Sequence, residues 1–287
     1  MLNLRIPAGI GDISWCISKL CNLNEELNLY ISADNPRRSL DFVQLFPFVK
    51  QAQYDHSNFH SIVNHSLPPS LPKETLIRLS KQARQNFSLN RFLEQGNRIE
   101  NFMPEIPTNL HYQIPTSEED KKFARQVFQH AENPVGIYTS NYINIANWNG
   151  WHLEEWAMLI REIHKNIKDI TFILLGAEYD REFTDDLSKI IEPIPHINLC
   201  GKTSISQVVE IIKNLKYFIS YPCGLPILAN VLNTPVLMFY PQHLKGLHNS
   251  WADQNSIQNK TYKGCEFAPV NIILKWLFEE YKLNQKI

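Results

Sequence analysis

The chain has 287 residues, too many for one ordinary core and enough for two modest α/β domains. Its 28 basic and 29 acidic side chains nearly cancel, so no overall field draws it to nucleic acid. With 44% hydrophobic and 20% charged residues the composition is globular, and no apolar stretch reaches the ~18 residues of a membrane span.

The five cysteines (Cys16, Cys21, Cys200, Cys223, Cys265) are odd in number and scattered, without the paired spacing of a zinc site. They read as reduced thiols, and no secretory leader pattern opens the sequence. The expectation is a soluble, cytoplasmic protein without a transmembrane segment, with peripheral membrane contact left open.

In chain order, Leu2 to Ile6 reads as a strand, Gly9 to Gly11 as a turn and Ile13 to Leu20 as a helix. Leu27 to Ser32 and Phe48 to Tyr54 read as strands, with a helix over 37–45 between them. Residues 55–72 are polar and rich in His and Pro, which predicts a loop, and 73–96 look helical. The prolines from Pro104 to Pro115 exclude a regular element before a helix at 118–130. A boundary near Ala131–Pro134 divides the chain into 1–132 and 133–287.

Beyond it the text is regular. Apolar runs at Val135–Thr139, Ile170–Leu175, Ile197–Cys200, Tyr217–Ser220 and Val236–Tyr240 predict buried strands. Leu153, Trp156, Ala157, Ile160, Ile163 and Ile167 form one helical stripe, and Ile205, Val208, Val209, Ile212 and Leu215 another. A helix is expected from Ile227 to Leu232, and a last one over about 269–283 that packs back on the first domain. Alternating strands and helices predict two doubly wound, Rossmann-like parallel sheets, with ligands at the carboxyl ends of the strands in a cleft between the domains.

Candidate functional residues therefore follow strands. Gly11 and Asp12 open the first helix; Asp12 is either a proton acceptor for a hydroxyl or a first-turn carboxylate complementing the helix dipole. Glu178 after Leu175-Gly176-Ala177 either binds ribose hydroxyls or sits in the first turn of a helix. Cys223, Gly224 and Leu225 start a helix whose free N–H groups suit a diphosphate, and no His partners Cys223 as a nucleophile. Asn141 to Trp151, rich in Asn and Trp, either contacts a sugar or pins its loop to the helix beneath. His56, His60 and His65 lack a ligand set for a metal, while His243, Lys245 and His248 follow the last strand and are candidates for the cleft mouth.

Five motifs in order resemble the heptosyltransferase-type (family nine) glycosyltransferases. These are Gly9-Ile-Gly-Asp-Ile13, Trp151-His-Leu-Glu-Glu-Trp156, Leu175-Gly-Ala-Glu178, Asn198-Leu-Cys-Gly-Lys-Thr-Ser204 and Ser220-Tyr-Pro-Cys-Gly-Leu225, the last running on to Asn233-Thr-Pro-Val236. The resemblance implies a GT-B fold and an inverting, metal-independent transfer from a nucleotide-sugar to a glycan or other hydroxyl acceptor. It implies Asp12 as general base and Gly11, Glu178, Gly201, Thr203, Cys223, Gly224 and Leu225 at the donor, with Asn149, Trp151, His243 and Lys245 in a donor or acceptor loop. No resident cofactor is expected, the donor being a co-substrate. The sequence departs from the family where its Asp falls at Pro222, its Ser or Thr at Cys223, its His at Ile227 and its Lys at Asn149. Those departures leave open a module that binds without turnover, and an epimerase of similar fold is the other alternative.

Overall fold

The computed structural model describes residues 2–32, 38–55, 73–74, 87–88, 99–242, 257–264, 266–280 and 282–283. The chain divides into two compact units, Met1–Pro115 and Thr116–Ile287.

The first unit carries a parallel four-stranded sheet of order β3-β2-β1-β4, formed by β1 (Leu2–Ile6), β2 (Leu27–Ser32), β3 (Val49–Asp55) and β4 (Phe87–Ser88). Leu2, Leu4 and Ile6 are buried and pair in register with Leu27, Leu29 and Ile31, giving one apolar face. On the other face Asn28 donates to Asn3 Oδ1 at 2.9 Å, and Arg5 meets Asp55 at 3.3 Å. Helices α1 (Ile10–Leu20) and α2 (Arg38–Val43) follow β1 and β2. The helical reading of 73–96 fails at Phe87–Ser88, where pairing with Leu4 and Arg5 of β1 makes a short strand. An open ladder edge outweighs local pattern there.

The Pro-rich segment is a strap along α1. Buried Lys19 donates to the carbonyls of Glu100 and Ile106 and to the Thr108 hydroxyl; Asn22 donates to Pro107 O; Tyr112 donates to Ser14 O. Prolines have no N–H to give a ladder, so Lys19 and Asn22 satisfy carbonyls of the strap while Tyr112 ties it to a carbonyl of α1.

The second unit has six parallel strands of order β10-β9-β8-β5-β6-β7. They are β5 (Val135–Tyr138), β6 (Phe172–Leu174), β7 (His196–Asn198), β8 (Tyr217–Ser220), β9 (Val236–Pro241) and β10 (Ile257–Tyr262). Counted within the unit this is the 3-2-1-4-5-6 order of a dinucleotide fold, which reverses direction between β5 and β8. β5, β8 and β9 are buried throughout, as their unbroken apolar runs demand. Around the sheet lie α3 (Glu118–Phe128), α4 (Tyr142–Trp148), α5 (Leu153–Asn166), α6 (Arg181–Ile190), α7 (Ile205–Lys213), α8 (Gly224–Val231) and α9 (Val270–Lys275). The predicted stripe of α5 is its buried face, with Trp156, Ala157, Leu159, Ile160 and Ile163 inside. Each of its larger apolar side chains contributes ~1.5–3 kcal/mol.

Helix α3 packs on α7, which puts the division of the chain before α3 rather than after it. Ser117 caps α3 in a reciprocal box with Asp120, and Thr116 and Lys213 both bond Glu210 of α7. Helix α9 packs on α5 within the same unit.

Candidate functional site

The reversal of strand order in the second unit opens a crevice beyond the ends of β5 and β8. Tyr221 N donates to Tyr138 O at 3.3 Å and ties the two strand ends together. After β5 the chain passes Ser140, buried and at φ 85°, before Asn141 caps α4 by accepting from Asn144 N at 2.9 Å. A serine in this left-handed region is strained, a state that persists only where its surroundings impose it. After β8, Cys223 caps α8, its Sγ accepting from Leu225 N at 3.4 Å. Cys223, Gly224 and Leu225 are half-buried, whereas Pro226 to Val231 are buried, so only the amino end of α8 reaches the surface. Burial pushes the Cys223 thiol up, which favours a neutral cap over a thiolate.

The turn after β6 brings Glu178 and Gly201 together. Gly201 sits at φ 69°, its N–H donating to Gly176 O at 3.1 Å, and a Cβ there would stand 2.5 Å from Glu178 Oε2. Glu178 is 69% exposed and holds Arg181 at 3.3 Å, so its carboxylate is open to a ligand. Thr203 is buried, and its hydroxyl has no partner among the described residues.

Sequence reasoning missed Asp180. It is 1% exposed and accepts from Ala177 N at 2.9 Å, from Asn141 Nδ2 at 3.3 Å and from the Tyr138 hydroxyl at 3.5 Å. One carboxylate thereby fixes the Glu178 turn to the loop after β5. Its signal was the acid three residues after Ala177, the second half of a capping box.

The Asn141–Trp151 segment is not a loop but α4 followed by a stop. Asn149 ends it in the left-handed region at φ 52°, with its side chain exposed. Trp151 is 6% exposed, its N–H donating to the Tyr221 hydroxyl at 2.6 Å and its Nε1 to Ala268 O at 3.0 Å. Its ring packs on Trp156 and Phe239, and Tyr221 stacks on Phe267 at 4.4 Å. Trp151 is therefore a pin for the segment rather than a free face for a sugar. His243, Lys245 and His248 lie outside the described residues, as do His56, His60, His65 and Cys265.

In the first unit, Gly9 precedes α1, Gly11 is buried and Asp12 is in the first turn. A Cβ on Gly9 would stand 2.7 Å from Asp12 Oδ2, so glycine makes room for the carboxylate. Asp12 is exposed, has no hydrogen bond or ion pair among the described residues, and has its pKa raised by desolvation. Among the described residues no group of three or more His, Cys, Asp or Glu is placed to hold a metal ion. No helix among them is long and apolar enough to cross a membrane.

No curated protein matches the sequence. Among solved structures, the Escherichia coli ADP-heptose LPS heptosyltransferase II aligns over all of both chains at 17% identity and a TM-score of 0.66. A family 9 glycosyl transferase from Veillonella parvula aligns over 98% of this chain and 88% of its own, at 10% identity and a TM-score of 0.62. The E. coli heptosyltransferase WaaC with ADP covers 97% and 99%, at 12% identity and a TM-score of 0.58. These likenesses establish the GT-B fold. The family model for glycosyltransferase family 9 (heptosyltransferase) matches residues 99–276, taking in β5 to β10 and every strand end that builds the crevice, and the chain belongs to that family.

Proposed function

We propose that the protein transfers a sugar from a nucleotide-sugar donor to an acceptor hydroxyl with inversion. The observation that carries the reading is the exposed Asp12 in the first turn of α1, without a hydrogen bond or ion pair among the described residues and with a raised pKa that makes it a stronger base than an ordinary aspartate. The donor lies on the second unit, with ribose hydroxyls on Glu178 and the diphosphate at the amino end of α8. Backbone N–H groups there bind anions whatever the side chains are. Two structures of one neighbour point the same way, WaaC having been solved with ADP and with ADP-2-deoxy-2-fluoro heptose. ADP-heptose is the donor this reading favours.

In the transfer step the acceptor O–H proton passes to Asp12, and the oxygen forms a bond to the anomeric carbon. The bond from that carbon to the phosphate oxygen breaks, and the nucleoside diphosphate leaves with the electron pair. The helix start stabilises the charge that develops on it. The step as written draws on no resident cofactor or metal, and it calls for one base and no second carboxylate.

Thermal shift of the full chain against nucleotide-sugars and free nucleotides tests the donor site. A ligand at about a hundred times its Kd adds ~2.7 kcal/mol. The expected result is stabilisation by one nucleotide class, lost in Glu178→Ala with the apo melting temperature almost unchanged, since an exposed pair such as Glu178–Arg181 is worth ~0–1 kcal/mol. Transfer assays test the base. Asp12→Asn lowers kcat by ~10²–10⁴ with donor binding intact, and the acidic limb of kcat/KM in the wild type lies above the ordinary aspartate value. Equal loss of binding and turnover in that variant overturns the assignment.

A second reading has a specific observation behind it. The four positions where family polar residues are replaced include Ile227, which is buried, and Cys223, whose thiol stays neutral. Donor binding without turnover, and without release of free nucleotide, identifies a binding module.

A further inference from the structure

A groove of about 640 Å³ runs along the amino end of α5, between it and the segment that leads into α9. This is within the ~300–1,000 Å³ of small-ligand sites. Trp151 and Phe267 close its floor, both buried and both in the aromatic cluster that pins Tyr221 in front of α8. Trp151 and Phe267 thus belong both to the groove and to the aromatic cluster around Tyr221, the residue that follows β8.

Its lining has an unusual charge balance. Glu155 and Glu266 contribute two carboxylates and His152 an imidazole, with no Lys or Arg among the described lining residues. Glu155 is partly occupied in accepting the His152 N–H at 2.9 Å, while Glu266 makes no ion pair among the described residues. Asn149 and Asn271 add amides that both donate and accept. Met158, 52% exposed, and Pro269 supply apolar surface at the rim. Hydroxyl groups donate to carboxylates and accept from amides, and the C–H faces of a sugar ring suit the apolar rim. An anionic group would be drawn out of water against two like charges, with no Lys or Arg among the described lining residues to offset them.

The geometry points to this groove as a binding site for an uncharged oligosaccharide, selective against acidic sugars. The inference rests on the transfer reading for its choice of ligand class, but the binding itself needs neither Asp12 nor Glu178. It makes a neutral glycan the class of molecule presented next to the donor.

Saturation-transfer NMR on the full chain with lactose, N,N′-diacetylchitobiose and a glucuronate-bearing disaccharide tests it. Signal transfer is expected to both neutral probes, with the uronate at least about tenfold weaker, one like-charge contact being enough for a factor of that size. Asn271→Trp, at an exposed position, fills the groove and abolishes binding of the neutral probes. Glu266→Lys, also exposed, strengthens the uronate probe, with the melting temperature of each variant matched to the wild type. Asp12→Asn and Glu178→Ala keep full binding of the neutral probes, so failure of the transfer reading is told apart from failure of the groove. No transfer to either neutral probe, equal uptake of the uronate, indifference to Asn271→Trp, or binding of a lysine-rich peptide in place of the sugars each overturns the proposal.

Discussion

At the scale of single residues, Asp12 sets two effects against each other. A carboxylate in the first turn of a helix gains ~0.3–1 kcal/mol from the dipole, whereas desolvation disfavours its charge. The raised pKa shows that desolvation wins. A carboxyl whose folded pKa is raised supports the fold fully below its unfolded pKa and loses that support as pH rises through the folded pKa. Asp12→Asn is therefore expected to melt above the wild type at pH 7, with the gap closing as the pH falls toward ~4. Paired melting curves across that range check it, and a variant less stable at neutral pH contradicts it. The place of Asp12 in the first turn of α1 was legible because a Gly-x-Gly-Asp turn after a strand announces itself. Asp180 was legible only as half of a capping box: its bonds to the Asn141 amide and the Tyr138 hydroxyl, about forty residues away in sequence, are tied to it by no local spacing.

At the scale of elements, the contact between Trp151 and Tyr221 joins the start of α5 to the end of β8. Tyr221→Phe keeps the ring packing and removes the acceptor, leaving a buried N–H without a partner. The expected loss is ~1–3 kcal/mol in a denaturant midpoint, with the m-value unchanged. Elements buried on both faces, such as β5 and β8, were readable because nothing but continuous apolar sequence can form them. Three others were hidden for physical reasons. α4 is written in Asn and aromatic residues, and its only helical signals are the Asn141 cap and the left-handed stop at Asn149. β10 is a polar edge strand whose sequence, Ile-Gln-Asn-Lys-Thr-Tyr, carries no core pattern. β4 is two residues long, shorter than any periodicity can reveal. Trp151 stayed ambiguous because a tryptophan that stacks on sugar and one that pins a helix look alike until burial is known.

At the scale of the whole molecule, the division at Pro115 and Thr116 makes α3 part of the second unit's structure. Without α3, Glu210 on α7 loses Thr116, and Ser206 loses Asp120. A fragment of residues 116–287 is expected to unfold at a higher temperature than one of 133–287, and equal melting of the two would show that α3 adds nothing. Pro222 and Cys223 directly follow Tyr221, Asn149 ends α4 and Ile227 is buried in α8, so all four family replacements fall within the second unit. The strap over α1 has a different use. Lys19 is a primary amine sealed beneath the carbonyls of Glu100 and Ile106, so an acylating reagent reaches it only while the strap is lifted. Mass-spectrometric footprinting of this one amine turns the strap into a clock, its labelling rate reporting how often the first unit opens.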